Sequence, residues 1–416
     1  MATYWKIVSQ FVRYKLFRFE KDVDYFYYLK PLEKFIGYNM KSWTRRQRLI
    51  WFIYVTHLVV MFLDQSVKLY AAAFIEWRDL GYFGGTAGLW WFRGMNLVQI
   101  QLIRWTQPEQ DRIRAYINAR QNRPKDPKAF QKRFRSFRFN VIFALCHLFV
   151  YVFNEVVLFV SVVWRKPEYR MYLHLGERHW LASVLTEVNT LVCILVNGGL
   201  SSVFTVTLIS QFKAMETELE ILVDIFETLE KNVHHLLSEQ PSGSVNDHLF
   251  AKILTTQLTL AVQKQQTFFD FIEQLQKFTK PTLLLYYYYA YGMMALSVML
   301  ILYETHSGFY LILVGVAILI LAQWWIISRC IENLESMTNE IGDIVYGLPW
   351  PTKLQLSPKR SSEYRGTVQL YLLIITRCQR GLSFSCGGFF IMSMENFGYL
   401  VNMTYNLLTF LLSFRK

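Results

Sequence analysis

Seven stretches of this 416-residue chain stay predominantly apolar for about twenty residues or more, at about 49–75, 82–104, 139–164, 181–211, 281–304, 308–329 and 387–414. Wound as an α-helix, a run of that length matches the ~30 Å hydrocarbon core of a bilayer. Backbone polar groups in lipid must bond to one another, and a single apolar segment manages this only as a helix. The sequence therefore predicts an all-α membrane protein with seven transmembrane helices. Only 18% of the residues are charged, against about a quarter in ordinary globular proteins. One further run, "VQLYLLIITRC" at 368–378, is too short to cross and lies between Arg365 and Arg377. It is expected as a half-helix on one side of the membrane, so that the last helical element is split.

Lys and Arg in the loops set the orientation. They crowd the N-terminal segment, from Lys6 to Arg48, and the second loop, from Arg112 to Arg138. The N-terminus and the even loops are thus expected in the cytoplasm, and the C-terminus outside the cell. The net charge of +13 reflects this bias, and no nucleic acid is expected as a partner. The opening residues mix charges and aromatics, unlike a signal peptide. Five cysteines, Cys146, Cys193, Cys330, Cys378 and Cys386, show no paired spacing, so no disulfide framework is expected. The sequon Asn402-Met403-Thr404 falls inside the last span and is expected to stay unglycosylated.

Beyond the fourth span the chain keeps a helical period. Met215, Leu219, Leu222, Phe226, Leu229, Val233 and Leu236 alternate steps of four and three, as a heptad seam does. Acidic residues, among them Glu216, Glu218 and Glu220, occupy the other faces. "SEQPSGSVND" at 238–247 breaks the pattern, and a second helix carries Phe268, Ile272 and Leu275 on one face. Periodicity alone fits two helices packing within one subunit and equally a hub between subunits. The chain divides accordingly into a cytoplasmic N-terminal segment (1–48), spans one to four (49–212), a cytoplasmic helical hairpin or anchor (213–280), spans five and six (281–330), further anchor helices (331–386) and the last span (387–416). No P-loop, nucleophile elbow or H-E-x-x-H occurs, and the adjacent His234 and His235 point to different sides of a helix. Neither an enzyme, a cofactor nor a metal site is expected.

The last fifth of the chain carries a more specific pattern. Tyr346 closes the amphipathic "IGDIVY" and Trp350 follows it, Gln379 sits in "RCQR", and Gly387 and Gly388 open the final span. Ser393, Phe397 and "TYNLL" at 404–408 complete the order. This resembles the C-terminal signature of insect odorant receptors. Gustatory receptors fit less well, since the pair expected after the Thr-Tyr would here be Leu411-Leu412. The olfactory co-receptor, Orco, carries a longer cytoplasmic insertion than anything between 213 and 280. The resemblance implies a ligand-tuned subunit of a ligand-gated, non-selective cation channel in the plasma membrane of olfactory neuron dendrites, four subunits around one pore, assembled with Orco and surrounded by lipid. A gustatory-type homomeric channel and a membrane transporter are the alternatives, though no matched broken spans suggest the transporter.

In that family the ligand pocket lies in the outer half of each subunit, among spans two to six. Transferred to this topology, the outer half offers Phe83, Trp90, Tyr151, Asn154, Glu155, Asn189, Thr190, Cys193, Met294 and Tyr310. Aromatic walls, an adaptable Met and a few polar groups suit a small, volatile, apolar odorant. Glu155 and Glu187 could instead bind helices together. Asp64 and Lys68, four apart, are expected to neutralise each other. In the last span Asn402, Asn406, Thr409 and Ser413 form a polar stripe, which fits a water-facing or subunit-facing surface. The resemblance selects another face for the gate, with Leu408 flanked by Thr404 and Leu411, apolar enough to close by dewetting.

Overall fold

The computed structural model describes residues 19, 24–34, 36–75, 80–121, 126–160, 180–238, 247–303, 307–348 and 361–413. Among them every long element is helical: α1 (Arg45–Phe74), α2 (Leu80–Trp105), α3 (Gln107–Gln121), α4 (Pro127–Leu158), α5 (Trp180–Glu227), α6 (Leu229–Ser238), α7 (Asp247–Tyr303), α8 (Ser307–Gly347), α9 (Ser361–Gln379) and α10 (Met394–Ser413). Over its described residues each expected span coincides with one of these helices, the last of them only from Met394. Four described segments, Arg45–Phe74, Pro127–Val157, Glu187–Glu227 and Val314–Gly347, are long and apolar enough to cross a membrane. The starts are chemically marked. Thr44 and Gln47 form a reciprocal capping box before α1, and the Asp126 carboxylate accepts from the N–H groups of Lys128 and Ala129 before α4.

Helix α5 is the axis of the molecule. Every residue from 200 to 212 is buried, so this stretch has no wet face and no lipid face. α4, α8, α2 and α7 all pack against it. Phe204, Phe212 and Met215 on this axis are essentially inaccessible. The heptad seam runs on into the same interior: Met215, Leu219, Leu222, Phe226, Leu229 and Val233 are buried, as are Phe268, Ile272 and Leu275 facing them from the second helix. The seam is therefore closed within one chain. α6 follows α5 after a break at Thr228, whose hydroxyl bonds back to the Asp224 carbonyl at 2.7 Å.

Two of the acidic residues expected on the wet faces are buried instead. Glu218 accepts from Arg133 Nε at 2.6 Å and Nη2 at 2.9 Å, with Arg120 at 3.4 Å. Glu216 accepts from Lys213 Nζ and Asn333 Nδ2, both at 2.9 Å. These bonds tie α3, α4 and α8 to the axis, so the carboxylates hold the bundle together where periodicity alone placed them in solvent.

The N-terminal segment docks onto the same end. Tyr25, Phe26, Tyr28 and Leu29 are buried, and the Tyr28 hydroxyl donates to Ser210 Oγ at 2.8 Å. Tyr25 donates to Ser136 at 2.9 Å. Burial works against the charge of Arg114, but Glu33, with which it forms an ion pair, and Tyr38 outweigh it and push its pKa up. Burial likewise opposes the charge of Asp24, yet Asn118, the Phe26 N–H and Lys30 hold its carboxyl below the usual range. At Gly37 the backbone is left-handed (φ +72°), and a Cβ would stand 2.7 Å from the Trp51 ring. Only glycine fits both demands.

The last span differs from the expectation. It begins at Met394, because residues 385–391 form a two-stranded hairpin, β1 (Ser385–Cys386) against β2 (Phe390–Ile391). Gly387 and Gly388, with φ of +65° and +95°, turn the chain rather than open the helix, since positive φ at two consecutive residues makes a tight hairpin turn. The Gly387 N–H donates to the Lys280 carbonyl at 2.9 Å, and its Cα lies so close to Leu284 that a Cβ there would sit 2.5 Å from Cδ2. The half-helix expected at 368–378 is α9, and the hairpin separates it from α10.

Removing Glu218 leaves Arg133 without its bidentate partner in a largely buried place. Glu218→Ala should cost roughly 3–5 kcal/mol, read as a lower midpoint in thermal unfolding of detergent-purified protein. Adding Arg133→Met should recover part of that loss. Strictly additive costs for the two substitutions would rule out the coupling.

Candidate ligand site within the helix bundle

Polar side chains line the inner faces of α2, α4, α5, α7 and α8 where these helices converge. On α4 the inward positions are His147, Tyr151 and Glu155, spaced by four. The Tyr151 hydroxyl lies 3.2 Å from Ser201 Oγ and 3.4 Å from the Tyr289 hydroxyl, with Ser201 donating to Tyr289 at 3.4 Å. One turn toward the basic end, Gln323 Nε2 meets His147 Nε2 at 2.7 Å, and the Tyr286 hydroxyl donates to Gln323 Oε1. Tyr286 stacks on Trp324 with centroids 5.5 Å apart and on Tyr289 at 6.1 Å. Four helices thus share one hydrogen-bonded aromatic ladder.

A second polar group comes from α2. Arg93 donates to Gln65 Oε1 at 2.8 Å, and Gln65 Nε2 donates to the Thr86 carbonyl at 3.2 Å. Asn96 Nδ2 reaches the carbonyl of Asn197 at 3.1 Å. Not all of this polarity is consumed. Both amide atoms of Gln99, Oδ1 of Asn96 and the Ser297 hydroxyl are buried and make no hydrogen bond with a described residue.

Small residues permit the close approaches. Gly292 on α7 lies against the indole nitrogen of Trp91, and a Cβ at Gly198 on α5 would fall 2.8 Å from Cγ and 3.2 Å from Oε1 of Glu155. Gly315 on α8 brings Asn154 Oδ1 to 3.4 Å from its Cβ position.

The structure distributes the sequence candidates unevenly. Tyr151 and Met294 are buried in the interior. Asn154 and Glu155 are half-buried beside Gly315 and Gly198. Thr190 is buried on α5, and Asn189 and Phe83 are half-buried. Trp90 faces the other way: its Nε1 donates to Ser66 Oγ at 2.9 Å and its ring stacks on Phe62 at 5.6 Å, so it joins α2 to α1. Cys193 and Tyr310 lie on α5 and α8, but their side chains fall outside the described residues. Asp64 and Lys68 pair at 3.5 Å, as their spacing predicts. Sequence reading passed over Tyr286, Tyr289 and Gln323. The run of four tyrosines at 286–289, improbable in a merely lipid-facing helix, was the available signal.

On α10 the Thr404 hydroxyl bonds back to the Leu400 carbonyl at 2.9 Å, Thr409 to Asn406 O at 2.9 Å and Ser413 to Phe410 O at 2.6 Å. Asn402 and Asn406 are exposed, as are Val401, Met403, Tyr405 and Phe410. Among the described side chains of α10, only Leu400 is fully covered by the chain itself. The side chains of Leu408 and Leu411 fall outside the described residues, as does Trp350.

Residues 95–405 match the sequence model of a family described as the 7tm odorant receptors. The chain belongs to that family. It is an olfactory receptor of the multi-pass membrane class, a receptor type rather than an enzyme type. The fold agrees. The insect olfactory receptor OR5 from Machilis hrabei, solved in complex with eugenol, superposes with a TM-score of 0.69 at 11% identity, covering 94% of this chain and 100% of that one. A second structure of the same receptor gives a TM-score of 0.69 at 11% identity, covering 94% and 99%. No curated protein matches in sequence.

Two neighbouring glycines separate local propensity from contact. Gly198→Ala gains helix propensity but drives Cβ into Glu155 near the root of its side chain, whereas a Cβ at Gly199 meets nothing within 4 Å. Gly199→Ala should therefore stabilise the purified receptor by up to about 1 kcal/mol, and Gly198→Ala should destabilise it by roughly 1–3 kcal/mol. Thermal-shift midpoints moving the same way for both would contradict the close approach at Glu155.

Proposed function

We propose that this receptor is the odorant-binding subunit of a ligand-gated, non-selective cation channel, assembled as a tetramer with the Orco co-receptor in the plasma membrane. In this reading the chain crosses seven times, with the N-terminus and the α3, α6 and α9 regions in the cytoplasm and the C-terminus outside. The observation that carries it is the surface of α10. An apolar helix of membrane length leaves Asn402 and Asn406 exposed together with Tyr405 and Phe410. Amide side chains at membrane depth face protein or water rather than lipid, so this helix needs other subunits and a wet path beside it.

The ligand pocket of this reading is bounded by Phe83, Tyr151, Asn154, Glu155, Asn189, Thr190, Cys193, Met294 and Tyr310, with Trp90 supporting one wall from behind. The eugenol complex of the structural relative supports a small organic ligand for the same fold. The gate is placed at Leu408, with Thr404 and Leu411 on the same side of α10. A ring of leucines closes a pore by excluding water, and it opens when the constriction is widened or made polar.

Expressed with the co-receptor, the chain should give odorant-evoked cation current, and a C-terminal tag should stain on intact cells. Leu408→Ser should raise current in the absence of odorant. An accessible N-terminal tag with a hidden C-terminal one would reverse the orientation. Unchanged basal current in Leu408→Ser, together with altered ion selectivity in Asn406 variants, would move the pore to the polar stripe.

A further inference from the structure

We infer that Glu155 sets the chemistry of the ligand: the site prefers a volatile with a hydrogen-bond-donating head, an alcohol, phenol or amine, over an apolar molecule of the same size. The inference rests on the odorant-receptor reading and narrows it.

Geometry places the carboxyl inside the bundle. At about 100° per residue, Glu155 lies about 40° from Tyr151 on α4, on the same side as His147. The most exposed residues nearby, Phe149 and Phe153, lie about 120° and 160° away around the helix. Gly198 makes the room, since any side chain there would strike Glu155 Cγ. The residue is half-buried rather than sealed.

Its bonding sets it apart from its neighbours. His147 and Tyr151 are both engaged in the ladder. Glu155 forms no hydrogen bond with any described residue. Arg93 acts on it through space while its guanidinium donates to Gln65. A carboxylate at membrane depth without donors costs several kcal/mol, and a ligand donor offsets part of that cost.

The three kinds of ligand head then separate. A hydroxyl serves the carboxyl in either protonation state, because it both donates and accepts. An ammonium serves the ionised form. An ether oxygen can only accept, and a hydrocarbon does neither. Charge-assisted bonds of this kind are worth enough to shift potency by at least about tenfold.

The test is a panel of C4–C10 and aromatic alcohols and amines, each paired with its methyl ether or hydrocarbon counterpart. Odorant-evoked current is recorded from the receptor co-expressed with the co-receptor. Wild type should respond to the donor member of a pair at concentrations at least about tenfold lower than to its counterpart. Glu155→Leu should abolish that gap while leaving surface labelling intact, and Glu155→Asp should keep the order of preference. Equal potency within pairs overturns the inference, as does a gap that survives Glu155→Leu. If only esters or terpenes evoke current, donor preference is wrong while the receptor reading stands. If neither the panel nor a broad odorant set evokes any current, both fall together.

Discussion

Burial of α5 on all sides is the constraint from which the rest of the molecule follows. A helix with no free face draws partners toward the polar side chains it carries, because an unpaired buried group costs about 1–3 kcal/mol. α5 carries Ser201, Ser202, Thr205, Thr207, Ser210 and Gln211 within the fully buried stretch. Three of these recruit outside elements. Ser210 receives the Tyr28 hydroxyl from the N-terminal segment, and Ser201 joins the tyrosines of α4 and α7. Gln211 Nε2 donates to Gln110 Oε1 on α3 at 3.4 Å, while the Ser202 and Thr207 hydroxyls make no hydrogen bond with a described residue. The docking of the N-terminus and the ladder in the interior are thus two answers to one demand.

The same demand explains why the bundle centre is both rigid and chemically specific. Aromatic rings in contact and shared hydroxyls fix rotamers, and helices that approach through Gly198, Gly292 and Gly315 leave little slack. Polar networks of this sort are stabilising when complete and costly when partial. The atoms of Gln99, Asn96 and Ser297 are among those the interior leaves without a partner in the described residues, and Glu155 joins them.

Much of the architecture was legible because hydrophobic length and charge bias are coarse signals. Twenty apolar residues declare a helix whatever surrounds them, and the seam from Met215 to Val233 declared a buried stripe that the structure closes within the chain. What escaped was direction. Depth along a span fixes the level of Trp90 but not that its indole turns to Ser66 on α1. Glu216 and Glu218 looked solvated because period alone cannot see the arginine and asparagine that reach them from other helices. The hairpin at 385–391 was missed because two glycines after an apolar run look like the loose start of a span. Their positive φ values become evident only when the chain is traced against Lys280 and Leu284.

α7 is a single helix of 57 residues, about 85 Å at 1.5 Å per residue. It passes from the heptad seam, beside the hairpin at Pro281, through Tyr286 and Tyr289 and on past Met294. Pro281 brings no N–H to the ladder, so the rod has one natural joint, placed beside the hairpin. A tilt imposed beside Tyr289 meets that joint before it reaches the other end, and the bond from Gly387 N–H to the Lys280 carbonyl braces the joint. The molecule is built less like a cup with a stalk than like a lever whose fulcrum is the hairpin bound to Lys280.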